Sequence, residues 1–366
     1  MNVIFKKDLL VDALQKVAPA LPRSSPRPAL ACIHIETAGN DVVLSATDLT
    51  VAVRCRVEAK EVRSSGSGLI GGKIVGLLRE GREEEVSVVI ESGRAEVKAG
   101  RASLSLLAPG VDEYPALPVF GEKVLTIEGR DVARLVGATV FATAQEQGRY
   151  AIQSVSVTAK GGKVEFAATD GRRLAVARAK VKEGDDMGPC LVPPRMLAEL
   201  RRMGDSGGDV EFALDGGALL ARSGSVLVAG RLTEGSFPAY NEMIPKQHGA
   251  LLEADIDEPI SRLRQVSQLT TENSRAIVFK IASESITLEA SSAAVGEASI
   301  VVDAKYDAEP VEVSFNPQYL LNGLQELAQG EDRKVRIEIG GARAPAVLRS
   351  EGFVYVVAPI QMGNAS

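Results

Sequence analysis

The sequence predicts an α+β protein built from three copies of one domain, and three observations carry that expectation. An amphipathic helix follows a short strand at three places, a second helix recurs at a nearly constant period, and each second helix leads into alternating strands. Repeats come first because a fixed period decides the architecture before any motif is weighed.

The first helices are Lys7-Asp8-Leu9-Leu10-Val11-Asp12-Ala13-Leu14, Arg130-Asp131-Val132-Ala133-Arg134-Leu135-Val136 and Glu258-Pro259-Ile260-Ser261-Arg262-Leu263. Their apolar residues recur three and four apart, which gives one buried helical face. Pro259 suits a first helical position, where its missing N–H costs nothing. The second helices are Gly72-Lys73-Ile74-Val75-Gly76-Leu77-Leu78, Pro194-Arg195-Met196-Leu197-Ala198-Glu199-Leu200 and Pro317-Gln318-Tyr319-Leu320-Leu321-Asn322-Gly323-Leu324; from 72 to 194 is 122 residues and from 194 to 317 is 123. The strands that follow are Val86–Ile90, Val210–Leu214 and Val335–Ile339, and Asp215-Gly216-Gly217 reads as a hairpin turn into the next strand.

Shorter echoes keep the same order. Leu44-Ser45-Ala46-Thr47-Asp48-Leu49 resembles Phe166-Ala167-Ala168-Thr169-Asp170-Gly171, and Leu288-Glu289-Ala290-Ser291-Ser292 stands where a third copy belongs. Tyr114-Pro115-Ala116-Leu117 and Phe237-Pro238-Ala239-Tyr240 close the first two copies, and Ala358-Pro359-Ile360 closes the third. Each copy therefore carries two helices and about eight short strands, an α+β domain. Turn residues and strand starts meet near Phe120–Lys123 and Lys246–Leu251, so the expected domains are 1–121, 122–248 and 249–366.

A chain of 366 residues is too long for one core and suits two or three domains. Hydrophobic content of 45% and charged content of 25% are ordinary for a globular protein. No run of about 18 apolar residues predicts a membrane span, and the start, Met1-Asn2-Val3-Ile4-Phe5-Lys6-Lys7, lacks the layout of a signal peptide. The expected location is the cytoplasm. Cys32, Cys55 and Cys190 are odd in number and far apart, and read as reduced, buried small hydrophobes.

Enzyme chemistry finds little footing. The two histidines, His34 and His248, cannot make a metal cluster and have no paired cysteines beside them. No phosphate-binding loop, dinucleotide fingerprint or nucleophile elbow is present, and Asp170-Gly171 reads as a turn. No cofactor and no metal are expected.

The repeats, their length and several local stretches resemble the bacterial replicative sliding clamp, the DNA polymerase III beta subunit family. The most specific stretches are Ala168-Thr169-Asp170-Gly171-Arg172-Arg173-Leu174-Ala175, Gly235-Ser236-Phe237-Pro238-Ala239-Tyr240 and Tyr355-Val356-Val357-Ala358-Pro359-Ile360, with Val192-Pro193-Pro194-Arg195 opening a helix. The resemblance implies the DNA-clamp fold, with three repeated domains and a head-to-tail homodimer closed into a ring around double-stranded DNA, helices inside and sheets outside. It implies a processivity factor without catalysis of its own, with the polymerase alpha subunit, the clamp loader and other proteins bearing the clamp-binding motif as partners.

Charge placement fits that ring unevenly. The net charge of −6 does not mark a simple basic nucleic-acid binder, yet Lys and Arg gather in or beside the helices: Lys6, Lys7, Lys16, Arg23, Arg27, Lys73, Arg79 and Arg82 in the first copy, and Arg130, Arg134, Arg149, Arg195, Arg201 and Arg202 in the second. The third copy is poorer, with Arg262, Arg264 and Arg275. Phosphate contacts carry no sequence information and so permit sliding. The chain has no Trp and only 4% aromatic residues, so it lacks the stacking platforms of single-strand binders. The DNA-contact candidates are Arg27, Lys73, Arg149, Tyr150, Arg195 and Arg201; taken singly, each basic residue is as readily a solvated helix face.

The family also binds short peptide tails in an apolar pocket. The matching positions here are Ile152, Thr169, Gly171, Arg172, Arg173, Leu174, Pro238, Met243, Val356, Ala358, Pro359 and Ile360. Met243 and Ile360 would serve as adaptable walls, and Arg173 as a fork of donors for a peptide carbonyl or carboxylate. Two departures bear on motif preference: Glu242 stands where a basic residue is common, and Ala358 is smaller than the usual Met. Gln361 to Ser366 extend past the Ala-Pro-Ile stretch. Leu104, Leu106 and Leu269 are the expected dimer contacts, with ordinary core packing as the alternative reading.

Overall fold

A computed structural model describes residues 1–81, 83–146, 150–246, 249–270, 276–292, 295–330 and 332–361, with Tyr150 described in its backbone alone. Among the described residues six helices fall where the apolar spacing puts them: α1 Lys7–Val17, α2 Ile74–Arg79, α3 Gly129–Val140, α4 Pro194–Asp205, α5 Asp257–Ser267 and α6 Pro317–Leu327. In α1 the buried residues Leu10, Ala13, Leu14 and Val17 form one stripe, while Asp8 in the first turn and Lys16 in the last complement the helix dipole. Pro194 and Pro317 occupy the first helical position, and Asn316 caps α6 by accepting the Gln318 amide. Gly204 of α4 lies hard against α3: a Cβ there would sit 2.5 Å from the Gly129 carbonyl oxygen and 2.8 Å from the Ala133 nitrogen, so only glycine fits.

Among the described residues each copy shows nine strands rather than about eight. The additional ones are Glu61–Ser64, Glu183–Gly184 and Lys305–Tyr306, each paired antiparallel to its copy's first strand. They are two to four residues long, too short to show an alternating pattern. Asp215 pairs with Ala218, so Gly216 and Gly217 are the whole hairpin loop, both at positive φ (52° and 82°) as a type I′ turn requires.

Contacts group the chain into two units, Met1–Ala133 with Ala159–Gly162 and Lys180–Thr233, and Arg134–Thr158 with Lys163–Ala179 and Glu234–Ser366. The first unit contains a five-stranded sheet ordered Glu61–Ser64, Asn2–Lys6, Glu85–Glu91, Arg94–Ala99 and Ala102–Leu107. It also contains a nine-stranded sheet in which Val226–Arg231 pairs with Val51–Glu58, from Val226 opposite Cys55 to Gly230 opposite Val51, joining the second copy to the first. In the second unit, Arg173–Lys180 pairs with Phe353–Val357 in the same manner, joining the second copy to the third. A four-stranded sheet there ends at the edge strand Gly296–Asp303.

The two junctions carry the same turn. Thr47 and Thr169 each donate their hydroxyl to the carbonyl four residues on (Val51, 2.8 Å; Arg173, 2.6 Å) and accept the amide two residues on. The residue after the aspartate has positive φ, 75° at Leu49 and 87° at Gly171. Gly171 adopts this freely; Leu49 does not, and an L side chain in that region costs about 1–2 kcal/mol.

Candidate partner-docking site

The second unit's strand junction builds an apolar floor. Leu174 lies opposite Val356, Val356 opposite Val347 and Val347 opposite Glu338, so one row crosses four strands on a single face. Leu174, Val356, Val347, Ala167, Val176 and Val354 form one buried cluster, against which Phe237, Tyr240 and Ile244 pack from the segment that closes the second copy. Phe237 and Tyr240 meet edge to face at 5.7 Å, a favoured aromatic geometry that fixes this wall.

Above the floor the rim stays open. Gly171, Arg172, Pro238 and Met243 are exposed, and Ala358, Pro359 and Ile360 are half-buried. Met243, at 40% exposure, is among the few large apolar side chains that reach solvent. The Ala358 amide donates to the Arg172 carbonyl at 2.8 Å and the Ile360 amide to Ser314 at 2.7 Å, which pins the Ala-Pro-Ile wall at both ends. Ile152 is half-buried in a short 3₁₀ turn, Tyr150–Gln153, and its carbonyl accepts the Ala144 amide at 2.9 Å.

Two predicted pocket residues serve the site from behind. Thr169 is 1% exposed and spends its hydroxyl on the turn, so it cannot line a wall. Arg173 is no free fork for a peptide: its side chain is 10% exposed and engaged by Asp170 and the Phe141 carbonyl. Side chains the sequence did not single out include Tyr240, Ile244, Val347 and Glu338. For Val347 and Glu338 the repeat offered a signal, since they match Leu220 and Ala213 of the second copy's own row, and Tyr240 stood in the family-like stretch Gly235–Tyr240.

Charged groups frame the site. Glu165 pairs with Arg178 at 2.5 Å and accepts the Tyr240 hydroxyl; burial first, then that hydrogen bond, push the Tyr240 phenol above its ordinary value. At the far end of the floor, Glu338 accepts from Arg349 Nε at 2.9 Å.

Among the DNA-contact candidates, Arg27, Lys73 and Arg201 are exposed. Arg149 and the Tyr150 side chain lie outside the described residues, as do His248 and residues 362–366. Arg195 is partly engaged: its Nε sits 2.9 Å from Asp48 Oδ2 and its Nη2 donates to the Pro19 carbonyl at 2.8 Å, while its side chain stays 41% exposed. Leu104 and Leu106 are half-buried on Ala102–Leu107, an edge strand whose neighbour Leu107 is 78% exposed, and Leu269 is half-buried just past α5.

His34 stacks on Tyr114 at 5.2 Å, and burial lowers its pKa, as a packed structural histidine would show. The three cysteines are free and buried, and burial raises each thiol pKa. Among the described residues no cluster of His, Cys, Asp and Glu could hold a metal, and no helix is long and apolar enough to cross a membrane.

Three like α+β copies with sheets joined at their junctions define a repeat-built α+β class of protein. Three family models match in order: the DNA polymerase III beta subunit N-terminal domain at residues 1–118, its central domain at 126–239 and its C-terminal domain at 241–361. The beta sliding clamp of Chlamydia muridarum is 28% identical over 366 residues, covering 99% of each chain, and that of Proteus mirabilis is 25% identical, covering 99% of this chain and 100% of the other. The DNA polymerase III beta subunit of Pseudomonas aeruginosa shares the fold with TM-score 0.92 at 24% identity, over 99% of this chain and 100% of that one. The Bacillus subtilis sliding clamp does so with TM-score 0.91 at 22% identity, over 99% of each. The chain belongs to the bacterial DNA polymerase III beta subunit family. It is a DNA sliding clamp, a processivity factor that works with DNA and polymerase and is not itself an enzyme.

Proposed function

We propose that two copies close head to tail into a ring around duplex DNA, and that the floor at Leu174 and Val356 takes short apolar peptide tails. The partners are the polymerase alpha subunit, the clamp loader and other motif-bearing proteins in the cytoplasm. Each chain contributes three domains, 1–121, 122–248 and 249–366. The observation that carries the docking reading is the buried row Leu174–Val356–Val347 beneath an exposed rim of Gly171, Arg172, Pro238 and Met243. An apolar floor with a few polar groups at its margin is what a linear motif needs.

Ring closure is supported by two edge strands with exposed apolar residues, Ala102–Leu107 with Leu107 and Gly296–Asp303 with Val301, since unpaired strand edges invite a second chain. Contact with the duplex would fall to Arg27, Lys73, Arg149, Tyr150 and Arg201, and to the exposed part of Arg195, which also pairs with Asp48.

The docking reading is tested by fluorescence anisotropy with a labelled peptide rich in Leu and Phe. Binding to the unaltered protein, weakened by Leu174→Glu and by Pro359→Ala, is expected. Absence of binding, or undiminished binding to both folded variants, would sink it.

A further inference from the structure

At both strand junctions a guanidinium ties the Thr-Asp turn to the end of a copy's first helix, yet it comes from different places in the sequence. In the first unit it is Arg195 of α4, 2.9 Å from Asp48 Oδ2, with Nη2 donating to the carbonyls of Pro19 (2.8 Å) and Leu21 (3.3 Å) just beyond α1. In the second unit it is Arg173 of the strand, 2.9 Å from Asp170 Oδ2, with Nη2 donating to the Phe141 carbonyl at 2.5 Å just beyond α3. By the repeat, Val51 stands at the position of Arg173 and Gln318 at that of Arg195. The same contact is thus made twice by unrelated positions, which marks it as a requirement of the junction rather than an accident of one side chain.

We propose that Arg173 is a positioning residue for the docking site, one that sets its rim without touching the bound peptide; this rests on the peptide-docking reading above. Its guanidinium is engaged through all three nitrogens and on one face. Beyond Asp170 and Phe141, its Cζ lies 4.3 Å from the centre of the Tyr319 ring, and the Asn322 amide, turned so that its oxygen faces inward, accepts from Nη1 at 2.8 Å. The other oxygen of Asp170 accepts the amides of Arg172 (2.9 Å) and Arg173 (3.1 Å), and the Arg172 carbonyl receives Ala358. A shift at the guanidinium therefore moves Gly171 and Arg172, and with them the Ala358-Pro359 wall. Lysine keeps the charge but cannot span Asp170, Phe141 and Asn322 together or stack on Tyr319.

The test measures peptide affinity of the full chain and of Arg173→Lys, Arg173→Gln and Arg195→Gln, using one peptide as a free C-terminal carboxylate and as an amide, with thermal unfolding alongside. Arg173→Lys should weaken both peptide forms by the same factor, about tenfold. Arg195→Gln should lower the unfolding midpoint comparably while leaving affinity within about twofold. A loss confined to the carboxylate form would make Arg173 a direct contact and overturn the proposal. Equal affinity losses in Arg173→Lys and Arg195→Gln would reduce it to general destabilisation, and unchanged affinity in both Arg173 variants would also overturn it. Failure of the unaltered chain to bind either form would overturn the docking reading and this proposal with it.

Discussion

Replacing Gly323 by alanine should destabilise the protein, although the same change inside a helix ordinarily stabilises. Gly323 lies within α6, where alanine is favoured by about 1 kcal/mol. A Cβ at this position would meet the Tyr355 ring, 2.7 Å from Cε1 and closer still to Cδ1, with Leu348 Cδ2 at 3.2 Å. The ring cannot swing away: Tyr355 is 0% exposed, Phe141 meets it edge-on at 5.5 Å, Phe353 stacks at 6.2 Å, and its hydroxyl donates to the Tyr319 carbonyl at 2.9 Å. Overpacking of this kind costs about 1–3 kcal/mol. The net expectation is a loss of up to about 2 kcal/mol, a fall of up to a few degrees in the unfolding midpoint of the second unit by calorimetry. Because Tyr319 carries the Arg173 guanidinium, peptide affinity should fall as well. A rise in midpoint would refute the argument that α6 is seated directly on the Tyr355 ring.

Leu49→Gly should leave stability unchanged or raise it by up to about 1 kcal/mol in denaturant titrations, because φ of 75° strains leucine; a loss above about 1 kcal/mol would mean its side chain does more than bear that strain. Burial alone would raise the Asp48 pKa, but hydrogen bonds from the Thr50 hydroxyl, the Val51 and Thr50 amides and Arg195 outweigh it and hold the carboxyl below its ordinary value. A depressed folded pKa stabilises above the unfolded value, about 3.9, and that stabilisation fades as pH falls through the folded value. Asp48→Asn should accordingly destabilise at pH 6, with the gap to the unaltered chain narrowing as pH falls below about 3.9, and a gap that does not narrow between pH 6 and pH 3 would contradict this. Val356→Ala, which trims the floor beneath the open rim, should cost about 1–3 kcal/mol of stability together with a measurable loss of peptide affinity. Lost stability with intact affinity would place the peptide elsewhere.

The helices and most strands were legible because their apolar residues repeat at fixed intervals and the same pattern occurs three times. The pairing of Arg173–Lys180 with Phe353–Val357 was not, because residues far apart in sequence meet there and neither strand's alternation names its neighbour. Matching residues to the family pattern picks out residues around the apolar floor but cannot tell a wall from a support. Thr169 and Arg173 look like pocket polar groups in sequence, and only their hydrogen bonds show them turned inward. Arg195 shows the same limit: one basic residue on a helix reads as a phosphate contact, and its pairing with Asp48 at 2.9 Å is not legible in the sequence.

Retention on DNA of different topology tests the central claim most directly. After loading onto nicked circular duplex, the protein should stay bound through gel filtration at moderate salt and should be lost once a single cut makes the circle linear. Equal retention on the circular and linear forms would mean the protein grips the backbone rather than encircling it, and would contradict the account.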